Sequence, residues 1–407
     1  MALIDRFLAR AVRRGRLTVT HPDGSRATFG ASDPELPDVA IRFADRGVAR
    51  AILSDPGLGA GEMFMAGRLL VEQGGVWDLV RLFKASNPWE RGGGALKGGA
   101  GRALGQVRYR LDRFNWRRRS RRNVAHHYDL SADFYRLFLD PDLQYSCAYF
   151  TDPANSLERA QADKKAHIAA KLLLEPGMRV LDIGCGWGGL ALYLHERTGA
   201  DVLGVTLSTE QLAVARARAE AAGVADRVSF ELLDYRDVAG RFDRIVSVGM
   251  FEHVGPPHYR GFFGKCRELL EPDGAMLLHT IGRMGGPGVT DAWTAKHIFP
   301  GGYNPALSEI VRAYEGLKLF PTDVEVLRLH YHLTIRHWYE RTVAARDAIV
   351  AMYDERFWRM WCFYLAGAAA AFEFGGMCNY QVQLARSRTA VPVVRDYVGE
   401  RERALRL

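Results

Sequence analysis

The sequence predicts an α/β protein, a doubly wound and mostly parallel sheet preceded by a smaller N-terminal α+β domain. Three observations carry this. From Met178 onward, strand-length runs alternate with helix-length runs, the pattern of parallel strands joined by helical crossovers. The stretch "VLDIGCGWGGLALYLHERTGADVLGVTLSTEQ", Val180 to Gln211, reads as strand, glycine-rich turn, helix and strand. The stretch "SNPWERGGGALKGGAGRALG", Ser86 to Gly105, is too dense in glycine to hold a packed element.

The elements follow in chain order. The N-terminal "MALIDRFLARAVRRGR" reads as a short amphipathic helix. Arginines interrupt its apolar positions, unlike the unbroken apolar core of a signal peptide, so retention in the cytoplasm is expected. Leu17 to Phe29 reads as a hairpin, with Leu17 and Val19 on one face and Pro22-Asp23-Gly24 at the turn. Helical patterns follow through Leu82. The expected domains are therefore 1–85 and 108–407, joined by a linker over 86–107. In the second domain the candidate strands are Arg179–Ile183, Asp201–Thr206, Val228–Leu233, Asp243–Val248 and Ala275–Thr280. Helices are expected over Gln211–Ala221 and Tyr259–Leu270. The tail from Asp323 carries helix-length apolar patterns and is expected to cap the mouth of the sheet.

Composition excludes several classes. The chain of 407 residues is 48% hydrophobic and 25% charged, as in globular proteins. No apolar run reaches the roughly 20 residues that span a bilayer. Its five cysteines are scattered and form no C-x-x-C, so neither disulfides nor a structural metal site is expected. The formal charge of +8 suits an anionic partner, either nucleic acid or lipid. Eight arginines fall in "RYRLDRFNWRRRSRR", Arg108 to Arg122, interleaved with Tyr109, Leu111, Phe114 and Trp116. No nucleic-acid reader motif accompanies this run, so an anionic membrane surface is the expected partner.

The glycine loop is the first candidate site. In "LDIGCGWGG" the glycines fall at 184, 186, 188 and 189, with Asp182 two residues ahead. Glycines let the backbone turn sharply and approach a ligand after the first strand. Dinucleotide sites prefer G-x-G-x-x-G; the spacing of Gly184, Gly186 and Gly188 with Asp182 suits a ligand with a charged amino-acid end, such as S-adenosylmethionine. The next strand ends without the acid that commonly holds ribose hydroxyls. Thr206, Leu207 and Gln211 stand in its place. After the third strand, Asp234 is placed to accept from an adenine amine, with Tyr235 beside it.

Seven motifs in order resemble the cyclopropane-fatty-acid synthase family. They are "NVAHHYDLSADFYRLFLDPDLQYSCAYF", "VLDIGCGWGG", "GVTLSTEQ", "SVGMFEHVG", "LHTIG", "FPGGYNPALSEI" and "HYHLTIRHWYER", and the resemblance runs from about Asn123 to Trp361. The resemblance implies a Rossmann-like methyltransferase fold with helical lipid-covering additions and an N-terminal lipid-handling domain. It implies that the methylene of S-adenosylmethionine is added to a cis double bond in a phospholipid acyl chain, closing a cyclopropane ring with bound bicarbonate as base. Carried over residue by residue, the bicarbonate ligands are Cys147, Glu252, His279, Tyr331 and the backbone N–H of Ile281. Tyr145 and Ser146 join the S-adenosylmethionine site. A homodimer at the inner face of the cell membrane is also implied. One departure stands out: many relatives carry a cysteine where this chain has Ala368 in "FYLAGAAAAFEFGG". It raises a sibling reading, a fatty-acyl C-methyltransferase leaving a methyl-branched or methylene chain. A third reading, a non-enzymatic lipid carrier, is opposed by the intact glycine loop.

The arginine run yields a test. Binding to anionic vesicles should fall with added salt, since attraction acts over a Debye length of about 8 Å. Neutralising Arg117, Arg118 and Arg119 together should weaken it by roughly 3 kcal/mol at most, taking 1 kcal/mol for each. Sedimentation with vesicles of graded anionic content measures this. Salt-independent binding would defeat the assignment.

Overall fold

A computed structural model describes residues 2–92 and 130–406. The arginine run and most of the expected linker lie outside the described residues. The chain divides into two compact units, one of Met1–Gln106, Thr290–Pro300 and His332–Met377, the other of Val107–Val289, Gly301–Tyr331 and Cys378–Leu407. The division is thus not collinear. Two later segments, expected from sequence in the second domain, belong with the N-terminal residues.

The first unit opens with α1 (Ala2–Ala11) and then the expected hairpin, β1 (Gly15–Thr20) and β2 (Arg26–Ala31). Leu17 pairs with Phe29 across it, and Asp23 accepts from Ser25 N–H at 3.1 Å to tighten the turn. Two strands were not foreseen. β3 (Val39–Phe43) runs parallel to β1, and β4 (Leu69–Gln73) pairs antiparallel with β3. Five-residue apolar runs do not distinguish a strand from part of a buried helix, and these were read as helical. The sheet order is β2-β1-β3-β4. Helices α2 (Arg46–Ser54), α3 (Pro56–Met65) and α4 (Val76–Ala85) complete this part. Asp45 and Asp55 cap α2 and α3 by accepting from the first free N–H groups.

The core of this unit joins Leu17, Val19, Ile41, Phe43, Val48 and Leu82 to Cys362. Cys362 lies on α14 (Glu355–Glu373), which follows α10 (Ala292–His297), α12 (His330–Ala344) and α13 (Arg346–Met352) among the later helices. Arg81 on α4 donates to both oxygens of Glu373 on α14, at 2.8 and 2.6 Å. The start of the expected linker is packed as well. Ser86 is buried and accepts from Arg13 N–H and Arg14 N–H, while Trp89 N–H donates to Phe374 O at 2.8 Å. Ala368 sits on α14, half-buried.

The second unit is built on a seven-stranded sheet of order β10-β11-β9-β8-β5-β6-β7. The strands β5 (Arg179–Ile183), β6 (Asp201–Thr206), β7 (Val228–Leu232), β8 (Phe242–Val248) and β9 (Leu270–Arg283) match the expected runs to within a few residues, except that β9 is longer at both ends. The pairings among these five strands are parallel. The tail differs from expectation. It supplies an antiparallel pair, β10 (Phe320–Leu327) and β11 (Met377–Ala385), at the sheet edge.

Helices cover both faces. On one, α6 (Leu157–Leu172), α7 (Gly189–Thr198) and α8 (Thr209–Ala221) pack against Val180, Val202 and Val246. On the other, α9 (Tyr259–Leu269) and α11 (Leu307–Tyr314) pack against Leu181, Ile183 and Ile245. Neighbouring residues of β5 therefore serve opposite cores, as the two-residue period of a strand requires. The short α5 (Ala132–Arg136) precedes α6, and α15 (Tyr397–Leu405) closes the chain.

Leu181 has no exposed surface. Leu181→Ala should cost about 2–5 kcal/mol, combining lost burial with the cavity left behind. Urea unfolding followed by circular dichroism measures it; a loss under about 0.5 kcal/mol would show that this core is not close-packed.

Candidate active site

β5 pairs with β6 on one edge and β8 on the other, so strand order reverses at β5. Such a reversal opens a crevice beyond the carboxyl ends of the strands, between helices that leave to opposite faces. A cavity lies there. Its walls include Tyr145, Ser146, Asp182, Gly184, Gly186, Thr206, Leu207, Gln211, Asp234 and Tyr235, ten of the eleven residues expected around S-adenosylmethionine.

The eleventh, Gly188, caps the start of α7 at φ +81°, and a Cβ there would stand 2.7 Å from the Phe230 ring. Gly184 is similarly constrained, at φ +84° and 2.8 Å from the Met250 side chain. Side chains at either position would strain the turn and push it off its neighbour. The loop thus holds the α7 N-terminus, with its free N–H groups, beside the cavity.

Each wall has its own chemistry. Thr206 donates to Gln211 Oε1 at 3.1 Å, which leaves the Gln211 amide N–H groups as donors in place of the missing acid. Asp234 accepts from Arg236 Nε and Nη2 at 2.8 and 2.5 Å. Its carboxylate is therefore oriented by a guanidinium that sequence reading did not single out. Asp182 is buried, its Oδ2 lacks a hydrogen-bond partner, and burial pushes its carboxyl up to about 7. Tyr145 packs its ring against Tyr135 on α5, which in turn meets Trp187 of the glycine loop.

A second cluster stands at the ends of β8 and β9. Glu252 lies on the turn after β8, buried, and accepts from Ile281 N–H at 2.6 Å. Its other oxygen has no hydrogen-bond partner, and burial pushes its carboxyl up to about 7. His279, two residues before Ile281 on β9, is held neutral by burial, its pKa brought down to about 3. Amide nitrogens of Gln381 and Asn379 on β11 lie 3.2 and 3.4 Å from its two ring nitrogens. A neutral imidazole has one N–H, so one amide turns its oxygen to the ring. Both amide oxygens are otherwise buried without partners.

Cys147 and Tyr331 lie on other elements. Cys147 is fully buried and follows the cavity-lining Ser146. Tyr331 is in the first turn of α12, next to His330, whose Nδ1 accepts from Phe150 N–H at 2.9 Å. The Tyr149 ring is stacked between His167 and His330, at 4.2 and 5.0 Å. Sequence reading missed His253 as well, a cavity wall residue that burial keeps neutral with a pKa near 4.

Comparison with known proteins places this geometry. A family model described as mycolic acid cyclopropane synthetase matches residues 115–382. The chain belongs to that family. It is 45% identical over 260 residues to the cyclopropane-fatty-acyl-phospholipid synthase of Escherichia coli K12, covering 64% of this chain and 66% of that protein. It is 36% identical over 406 residues to the tuberculostearic acid methyltransferase UfaA1 of Mycobacterium tuberculosis, covering 95% and 91%. Among solved structures, mycolic acid cyclopropane synthase CmaA1 complexed with SAH and CTAB aligns with a TM-score of 0.62 and 34% identity, over 65% of this chain and 98% of that one. As a cyclopropane synthetase family member, the protein is an S-adenosylmethionine-dependent methyltransferase with a Rossmann-like fold.

Gly188→Ala should destabilise the second unit by about 1–3 kcal/mol, the range for a non-glycine residue forced into a left-handed conformation. S-adenosylhomocysteine should also bind more weakly. Urea unfolding and calorimetric titration check both; wild-type values would mean that the loop does not depend on this glycine.

Proposed function

We propose that this chain transfers the methylene of S-adenosylmethionine to the cis double bond of unsaturated acyl chains in membrane phospholipids, forming a cyclopropane ring. The observation that carries the reading is the pair of sites on one sheet. A cavity lined by Asp182, whose Oδ2 has no partner, lies at the glycine loop, and Glu252, with one unpartnered oxygen, accepts from Ile281 N–H two residues beyond the neutral His279.

The chemistry needs both. The alkene's π electrons form the new carbon–carbon bond while the S–CH₃ bond breaks with its pair to sulfur, leaving positive charge on the adjacent carbon. Removal of one proton from the new methyl group then lets that C–H pair close the ring. Buried aromatic faces stabilise the cation better than water would, and they keep water from capturing it. The base is bicarbonate, which when bound supplies a proton acceptor near neutrality. The Tyr331 hydroxyl would be a donor to such an anion, and Glu252, held by Ile281 N–H and with its proton affinity lifted to about 7, would accept from the bicarbonate hydroxyl and take its proton. His279 and Cys147 complete the ligand set. Ala368 offers no thiol, so the base is sought in the Glu252 cluster.

The protein acts at the inner face of the membrane as a homodimer, in the same proposal, with anionic lipid favoured by its basic charge. No described helix is long and apolar enough to cross a membrane. Incubation with unsaturated phospholipid vesicles and S-adenosylmethionine, followed by proton NMR of the extracted lipid, tests the product. Upfield ring protons are expected; vinylidene or branched-methyl signals would establish the sibling chemistry instead.

Glu252→Gln should lower turnover about a hundredfold or more while S-adenosylhomocysteine still binds, because an oriented electrostatic partner is lost and the cofactor cavity is untouched. Normal turnover by the variant would remove Glu252 from the mechanism.

A further inference from the structure

Helix α6 grips the cavity wall from behind. Gln161 Nε2 donates to the backbone carbonyls of Gln144 and Ser146, each at 3.1 Å. One turn on, Lys164 Nζ donates to Gln144 Oε1 at 2.7 Å and Ser146 Oγ at 2.8 Å. Lys164 is fully buried and, among the described residues, forms no ion pair. Removing an ammonium from water without a carboxylate partner is costly, and such a group is seldom kept for stability alone.

An ammonium only donates. By filling the acceptor positions of Ser146 and Gln144, it leaves their own hydrogens to point elsewhere. One amide hydrogen of Gln144 goes to Asp142 Oδ2 at 3.2 Å. The Ser146 hydroxyl proton and the other Gln144 amide hydrogen remain, and both side chains line the cavity. Asp182, on the same cavity, offers a buried oxygen with no partner. One wall therefore presents donors and another an acceptor, the complement of a carboxylate and an ammonium on one carbon.

We infer that Lys164 is a positioning residue for the methionyl end of S-adenosylmethionine: it fixes Ser146 and Gln144 as donors, and so selects a ligand bearing a carboxylate. Burial lowers the Lys164 pKa to about 8, opposed by Asp140, so the ammonium persists at neutral pH. This rests on the assignment of the cavity to S-adenosylmethionine.

Lys164→Met keeps the stem and removes the charge. Binding of S-adenosylhomocysteine and of 5′-methylthioadenosine, which lacks the amino-acid end, is measured by calorimetry on the full chain. The variant should lose about tenfold to a hundredfold for the first, the worth of hydrogen bonds to a charged group, and nothing for the second. An equal loss for both would make Lys164 structural only, and no loss for either would also overturn the inference. If the variant does not fold, Ser146→Ala is titrated with the same pair, and an unchanged ratio of affinities overturns it. Failure of the wild-type protein to bind either nucleoside would instead sink the cavity assignment.

Discussion

Parallel pairing of β5 along both edges constrains everything around it. The chain leaves β5 through α7 on one face of the sheet and leaves β8 through α9 on the other. The carboxyl end of β5 is consequently left uncovered, and the chain must turn there through Gly184 and Gly188 without striking Met250 or Phe230. The same arrangement carries Glu252 on the turn after the strand to one side and Thr206 at the end of the strand to the other. The cofactor cavity and the Glu252 cluster are products of one topological reversal.

The groups gathered there share an electrostatic character. Asp182 and Glu252 both have carboxyl groups lifted to about 7 by burial, and each has an oxygen without a partner. Lys164 is drawn down to about 8 and His279 to about 3. Removal from water brings carboxyl and ammonium groups toward neutrality, where a proton moves between neighbours at little cost. Lys171, as buried as Lys164, reaches Asp323 and Glu325 at 3.0 and 2.5 Å. The contrast separates groups that hold the fold from groups left open to a ligand.

The parallel strands were legible because a strand buried on both faces reads as a continuous apolar run between turns. β11 was not, because Asn379, Gln381 and Gln383 stand in its interior and look like surface residues. Their partners, His279 and the Lys171 carbonyl, are 100 and 212 residues away. α6 was illegible for the same reason: Gln161, Asp163, Lys164, His167 and Lys171 are all buried, so no polar face marks its orientation. Arg236 was hidden by the opposite circumstance, a charge two residues from its partner, where only the turn after β7 brings the two groups together. The glycine loop and Glu252 were recognised through motif order, which records spacing and carries no information on hydrogen-bond partners.

The discontinuous make-up of the first unit bears on how the chain is made. Its α4 surface meets α14 through Arg81 and Glu373, 292 positions apart, and Cys362 belongs to the same core as Leu17 and Val19. A ribosome adds roughly 5–20 residues each second, so about 15–60 seconds separate the emergence of these two halves. During that interval the apolar side of α4 lacks its cover, while the whole parallel core of the second unit, Met178 to Arg283, is already outside the tunnel. The nascent N-terminal segment thus depends on holding helpers or on its own solubility until α14 arrives.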